Sequence, residues 1–219
     1  PIYNIENACA SGATAVHLAK HALIAEQYKT ILVVGIEQLT QLGGGTIPLQ
    51  LNDHKTRIYA NSGLVLPSIY AMRATRYLYE RDEDPSLLAQ VAVKNRFNGS
   101  LNPYAQQRTP TTIEEVLSSR MIAEPLTLMQ CCPSQVDGAA ALILSTEHNN
   151  GRKPVKLLAS IVQSGMQEKY SDDILDAEIT ARAARLAYEQ AGIGPNDIDV
   201  IELHDAFTIA ELIYYEALG

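Results

Sequence analysis

The sequence predicts an α/β fold built from strand–helix–strand units on either side of a polar linker. β-Branched runs at Thr30–Glu37 and Ile198–Leu203 read as strands, and each lies next to a segment of helical period. Residues able to do chemistry, Cys9 and His204, fall at the turns that lead into helices. That pairing of buried-type strands with amphipathic helices is the pattern of an α/β sheet protein, with a parallel sheet as the expectation.

The first element is the helix that follows Asn7-Ala8-Cys9-Ala10-Ser11-Gly12. Ala13, Val16, Leu18, Ala19, Ala22, Leu23 and Ile24 recur at spacings of three and four and give it an apolar face. A thiol just ahead of a helix meets unpaired backbone N–H groups and the positive end of the macrodipole, which favour thiolate over thiol. The small neighbours Ala8, Ala10, Ser11 and Gly12 let a carbonyl approach the sulfur and leave N–H groups to face a developing oxyanion. Free cysteine is also among the most buried residue types, so a structural Cys9 fits this stretch equally well.

Thr30–Glu37 follows as a continuous apolar run of the kind buried on both faces. Gly43-Gly44-Gly45 is a weak phosphate-loop signal and reads better as a flexible connection. From about Gln41 to Pro125 the pattern is irregular and polar, with helices expected at Pro67–Glu80 and Pro85–Phe97. Asp84 suits the N-cap of the second, with Pro85 at its first position. Lys94, Arg96, Arg108 and Arg120 concentrate positive charge here, to meet an anionic cofactor tail or simply to form a solvated face. Thr112-Ile-Glu-Glu115 is a capping box opening a short helix.

Cys131 and Cys132 are adjacent, cannot easily bridge each other, and lack further metal ligands at usable spacing, so both read as structural. They lead through Asp137-Gly138 into Ala139–Ser145, another buried strand. Glu147–Pro154 is the polar, turn-forming linker and the best internal boundary. Beyond it come a strand at Val155–Val162 and an amphipathic helix at Ile174–Gln190, with Ile179, Ala183, Leu186 and Ala187 on one face. Gly192 ends that helix. Ile198–Leu203 is a strand, and His204–Thr208 is the turn into the last helix. A His at the C-terminal end of a strand in an α/β sheet stands where ligand sites form, although a satisfied structural His fits the same place.

Composition narrows the partners. The chain has 219 residues, 47% apolar content and a formal net charge of −8, enough for a sizeable core and unsuited to nucleic acid or an anionic membrane surface. Three cysteines, two of them adjacent, make a poor disulfide framework and favour a reducing compartment. No apolar run approaches the roughly 18 residues that span a bilayer. No secretory signal is expected, and Glu-Ala-Leu-Gly at the end is not a peroxisomal address.

Taken together, these stretches resemble the thiolase superfamily, specifically the sterol-carrier-protein-2 type of thiolase. Asn7–Gly12 is similar to the nucleophile loop, and Asn102-Pro-Tyr-Ala105 with Glu114–Leu117 is similar to the loop domain. Cys131-Cys-Pro133 with Asp137–Ala141 is similar to the strand returning to the core, one residue longer than the family pattern. Pro195–Phe207 continuing to Tyr215–Gly219 is the most specific match: other thiolases have Asn-Glu-Ala-Phe where this chain has His204-Asp205-Ala206-Phe207, the form of this subfamily.

The resemblance implies a duplicated βαβ architecture, layered α-β-α-β-α and here incomplete at both ends. Residues 1–148 would belong to the N-terminal domain, with a loop-domain insertion at about 41–125, and residues 149–219 to the C-terminal domain. It implies an acyl-CoA C-acyltransferase in which Cys9 is the acyl-carrying nucleophile. His204 would bind the substrate thioester oxygen in one oxyanion hole, and the Cys9 backbone N–H would serve a second. The substrate is a coenzyme A thioester, with no bound cofactor and no metal. A homodimer is expected, in bacterial cytoplasm or in a peroxisome rather than secreted. The family's Gly-His-Pro base and Cys-x-Gly acid/base motifs do not occur in this chain, so alone it is expected to be a poor catalyst. His17 and His21 sit on the first helix and do not replace that base. Two other functions stay open: a retro-aldolase acting on acyl-CoA thioesters with an OB-fold (DUF35-like) partner, and a non-catalytic CoA- or lipid-binding subunit.

Overall fold

The computed structural model describes residues 1–42, 61, 63–133, 136–147, 153, 155–165 and 173–219. The elements in order are α1 (Ser11–Ile24), β1 (Thr30–Gln38), α2 (Leu66–Arg81), α3 (Ser86–Leu101), α4 (Ile113–Ser118), β2 (Met121–Ala123), β3 (Leu126–Thr127), β4 (Asp137–Ser145), α5 (Glu178–Ala191) and α6 (Thr208–Leu218). The Gly43–Gly45 connection and most of the 147–154 linker lie outside the described residues.

The expected α1, α2, α3 and α4 form within a few residues of their sequence bounds. Asp84 Oδ1 accepts from the Ser86 N–H at 2.8 Å, so Asp84 caps α3 with Pro85 in helical geometry. Thr112 and Glu115 close the capping box of α4. α5 starts at Glu178 rather than Ile174, because Asp173 and Asp176 bond to the Leu175 and Glu178 N–H groups and hold that stretch in turns. Gly192, at φ +70°, ends α5 in the left-handed conformation that a Cβ disfavours.

Three expectations about strands are corrected. β1 pairs with β4 antiparallel, from Thr30 opposite Ser145 to Gln38 opposite Asp137, so the sheet of the described residues is not parallel. It is also not buried on both faces. α1 packs against β1, half-covering Ile31 and Val33, while Leu32, Val34, Ile36 and Ile143 project from the other face and stay exposed. Segments 155–162 and 198–203, expected as strands, join no ladder among the described residues. Apolar runs mark segments suited to a sheet; they do not supply the hydrogen-bonding neighbour that makes a strand.

The main core lies away from this sheet. Ala71, Ala74, Tyr77 and Leu78 of α2 meet Leu88 of α3, Leu126 of β3, and Phe207, Ile209 and Ile213 at the start of α6. α6 is therefore the hub, packed on α2, α3 and α5. Polar ties reinforce it: Tyr77 Oη donates to Glu216 at 3.0 Å, and Tyr188 Oη donates to the Leu218 carbonyl at 2.9 Å. Gln190 Oε1 of α5 accepts from both Lys20 Nζ and the Ser160 N–H at 3.0 Å, and the Ser160 carbonyl bonds to His17 Nδ1 at 2.9 Å. His17 is thus a structural contact between α1 and segment 155–165.

Gly99 in α3 generates a test. A Cβ there would stand 2.6 Å from the Gln107 carbonyl oxygen, a backbone atom of the loop that doubles back onto the helix. Alanine is the better helix former by about 1 kcal/mol. Gly99→Ala is nevertheless expected to lower the thermal midpoint, read by circular dichroism; a higher midpoint would show that the loop yields at no cost.

Candidate active site

Cys9 occupies the middle of a single 3-10 turn, Ala8–Ala10, placed against the N-terminus of α1. The turn is tight. Ala8 sits at φ +46°, a left-handed backbone that alanine adopts only under constraint, at a cost of about 1–3 kcal/mol. Side chains supply the constraint. Glu6 Oε1 accepts from the Ala8 N–H at 2.7 Å, Ser11 Oγ accepts from the Asn7 N–H at 2.7 Å and donates to the Ala8 carbonyl at 2.8 Å, and Asn7 Nδ2 donates to Thr14 Oγ1 at 2.9 Å. The neighbouring N–H groups are all occupied, those of Asn7 and Ala8 by these side chains and those of Ala10 and Ser11 by the Asn7 and Ala8 carbonyls. The Cys9 N–H has no partner among the described residues, and Cys9 itself is exposed. A held turn that presents one thiol and one free N–H can receive a carbonyl group.

His204 precedes α6 and is exposed. Among the described residues no hydrogen bond joins it to Cys9. What the two share is a common set of neighbours. The Cys132 N–H donates to the Ala206 carbonyl at 2.8 Å, and Cys131 forms an isolated antiparallel bridge with Phe207. Phe207 in turn stacks on Tyr70 of α2, with ring centroids 4.4 Å apart. Tyr70 and Cys132 both lie within electrostatic reach of Cys9, and Cys132 within reach of Asp205. The turn that carries His204 and the turn that carries Cys9 thus flank the Cys131–Cys132 segment.

Burial, followed by the neighbouring Tyr214 hydroxyl, pushes the Tyr70 phenol up to about 12 and keeps it neutral. Burial likewise pushes the Cys131 thiol up to about 11, and the thiol donates to the Thr127 carbonyl at 3.4 Å. Cys132 is raised as well, by burial first and then by Cys9 and Asp205. Both cysteines are protonated at neutral pH, in keeping with a structural role.

Behind the His204 turn lies a cluster of charges that the sequence reading did not assemble. Glu211 of α6 is 2% exposed. It is ion-paired with Lys94 Nζ of α3, accepts from the Tyr215 hydroxyl, and accepts from Asn95 Nδ2 at 2.9 Å. The same Asn95 Nδ2 donates to Asp205 Oδ2 at 2.7 Å. Lys94 also donates to Tyr215 Oη at 3.0 Å. Burial alone would raise Glu211, but the bonds from Lys94, Tyr215 and Asn95 outweigh it and hold the carboxyl below its ordinary range. Asp205 has no ion pair of its own among the described residues; burial and then the Glu211 charge push it up to about 6, outweighing a smaller lowering by the Lys94 charge.

Lys94 is therefore engaged by Glu211 and Tyr215, while its own side chain stays 47% exposed. Arg96 donates to Gln107 Oε1 at 2.6 Å, while Arg108 and Arg120 are exposed. No cluster of three or more His, Cys, Asp or Glu among the described residues could hold a metal ion. A signal for the charge cluster did exist: Glu211 is the one acid among the apolar Ile209, Ala210, Leu212 and Ile213 at the start of α6, with Tyr215 four residues on.

Residues 1–148 match the family model of the thiolase N-terminal domain, and residues 162–219 match that of the thiolase C-terminal domain-like family. The chain belongs to the thiolase family. Among its thiolase relatives, the benzoylsuccinyl-CoA thiolase subunit BbsB of Thauera aromatica is 40% identical over the whole chain and 57% of its own length. Sterol carrier protein 2 of Gallus gallus is 32% identical over the whole chain and 43% of its own length. The chain thus spans about half the length of the curated relatives it matches. The solved structure of the Ltp2-ChsH2(DUF35) aldolase superposes with a TM-score of 0.79 at 26% identity, covering 96% of this chain and 56% of that one.

The Asp205 carboxyl in this thiolase turn makes a pH prediction. Its ordinary value is 3.8 and its folded value about 6, so the folded state holds the proton more tightly. Asp205 therefore adds stability below its ordinary value, and that contribution is lost as pH rises through the folded value. Asp205→Asn keeps an acceptor for Asn95 and removes the buried charge. Its thermal midpoint relative to wild type is expected to climb between pH 4 and pH 6 and then level off. A flat difference across that window would contradict the assignment.

Proposed function

We propose that the whole protein is an acyl-CoA C-acyltransferase that carries its acyl group on Cys9. The observation that supports this most is the Cys9 turn, where a strained, fully braced backbone exposes one thiol beside one unoccupied N–H. In the reaction the Cys9 sulfur, as thiolate, bonds to an acyl carbonyl carbon, and the carbonyl oxygen becomes an oxyanion. The Cys9 N–H receives that charge. Collapse breaks the bond to the leaving group. In the thiolytic direction that group is the enolate carbon of a shortened acyl-CoA, which takes up a proton. In the synthetic direction it is the sulfur of CoA, which leaves as the thiol after protonation.

The second half-reaction passes the acyl group from Cys9 to CoA or to the α-carbon of another acyl-CoA. His204 would hold the thioester oxygen of that second molecule, stabilising the enolate character at its α-carbon. Residues 1–148 would form part of the N-terminal domain with its loop domain at about 41–125, and residues 149–219 part of the C-terminal domain. The family-model matches support that division. A CoA-thioester substrate agrees with what the Thauera relative is named for. A homodimer in the cytoplasm or the peroxisome completes the reading, and no helix among the described residues is long and apolar enough to cross a membrane.

A second reading, a carbon–carbon lyase with a DUF35-type partner, draws support from the likeness to the Ltp2-ChsH2(DUF35) aldolase. Aldol cleavage needs no acyl-cysteine, so the two readings separate cleanly. Incubated with acetoacetyl-CoA, the whole protein is expected to gain the mass of an acyl group by intact mass spectrometry, and Cys9→Ala is expected to lose that adduct. Release of a ketone or aldehyde from a β-hydroxyacyl-CoA without any Cys9 adduct would favour the lyase instead.

A further inference from the structure

We infer that Asn95 of α3 is a positioning residue for His204, acting through Asp205; the inference rests on the acyltransferase reading of the His204 turn. The geometry has three parts. His204 makes no hydrogen bond of its own among the described residues, and the segment leading into it, 198–203, joins no ladder. Its placement must therefore come from the residues that follow it. Ala206 and Phe207 are held from one side by the Cys131–Cys132 segment. From the other side Asn95 Nδ2 donates to Asp205 Oδ2 at 2.7 Å.

Asn95 suits this task because an amide nitrogen has two hydrogens. One goes to Asp205 in the turn and the other to Glu211, one helical turn into α6, at 2.9 Å. The amide bridges two carboxyl groups that already lie within reach of each other, and its two hydrogens offset their mutual repulsion. Lys94, the preceding residue on α3, ion-pairs with Glu211 and reaches Asp205 only through its charge, so among the described residues Asn95 is the amide donor to the Asp205 carboxylate. Without the amide, Asp205 would be left half-buried beside a buried anion and would turn toward solvent, taking the adjoining His204 with it. A catalytic group displaced by about 1 Å can lose about a hundredfold in rate.

Three measurements on the whole protein test this. The first is kinetic. With acetoacetyl-CoA and CoA, Asn95→Leu is expected to lower kcat by up to about a hundredfold with KM little changed. Asp205→Asn, which keeps an oxygen acceptor, should lose less than Asp205→Ala. The second is a double-mutant cycle. If Asn95 acts through His204, then Asn95→Leu with His204→Ala loses no more than His204→Ala alone. Losses that multiply would overturn the inference.

The third is independent of catalysis. The imidazole proton signal assigned to His204, by its disappearance in His204→Ala, should shift or broaden in Asn95→Leu while the His17 and His21 signals stay in place. An unmoved His204 signal, or movement of all three, would overturn the inference. Should Asn95→Leu fail to fold, Asp205→Ala carries the same cycle and the same spectrum. The acyltransferase reading is judged separately, by the Cys9 adduct in wild-type protein. A missing adduct with a shifted His204 signal would refute that reading and keep Asn95 as the residue that places His204. A normal adduct with an unmoved signal would refute only the role of Asn95.

Discussion

A single buried carboxylate, Glu211, governs how this chain holds itself together around its candidate site. A charge at 2% exposure is tolerated only when it is paired and hydrogen-bonded, and here Lys94, Asn95 and Tyr215 supply the partners. Two of those partners lie on α3 and one lies a turn further along α6. The ion pair therefore fixes the rotation of α6 against α3 in a way that the apolar contacts of Ile209 and Ile213 with Leu88 could not. Apolar packing tolerates sliding; a buried, fully bonded charge does not. Loss of Lys94 would leave the buried Glu211 carboxylate without its cation.

The rest of the site follows from that orientation. With α6 fixed, its first residues Phe207 and Thr208 are fixed, and Phe207 meets both Tyr70 and the Cys131 bridge. Tyr70 and Cys132 then stand near Cys9, whose own turn is braced locally by Glu6, Asn7, Ser11 and Thr14. The two turns are built by different means. The Cys9 turn is local and strained, held by side chains within about two helical turns of it. The His204 turn is held at long range, by α3 and by the Cys131–Cys132 segment. That difference fits their proposed tasks: a nucleophile needs a sharply defined sulfur, whereas an oxyanion-hole residue needs a defined distance from something elsewhere in the fold.

How much of this was legible in the sequence depended on the range of the interaction. The helix after Cys9, the capping box at Thr112 and the cap at Asp84 are local and appear where the residues place them. The antiparallel register of β1 and β4 was not legible, since the partner strands are about a hundred residues apart and a β-branched run is silent about direction. For the same reason Ile198–Leu203 looked like a strand and joins no ladder among the described residues. Lys94 stood out in the sequence as a positive charge, yet its partner Glu211 is 117 residues away, so its role as the cation of a buried carboxylate could not be read from its neighbours. Cys9 and His204 were named from their turns, and the structure adds a Cys9 N–H without a partner among the described residues and the Asn95–Asp205 hydrogen bond next to His204.

The measurement that tests this account most directly is a crystal structure of the whole protein trapped with an acyl-CoA. The account predicts continuous density from Cys9 Sγ to the acyl carbon, with the acyl oxygen at roughly 3 Å from the Cys9 N–H and a second thioester oxygen facing the His204 imidazole. Density for an acyl-CoA whose carbonyl groups face other residues, with Cys9 unmodified, would contradict it.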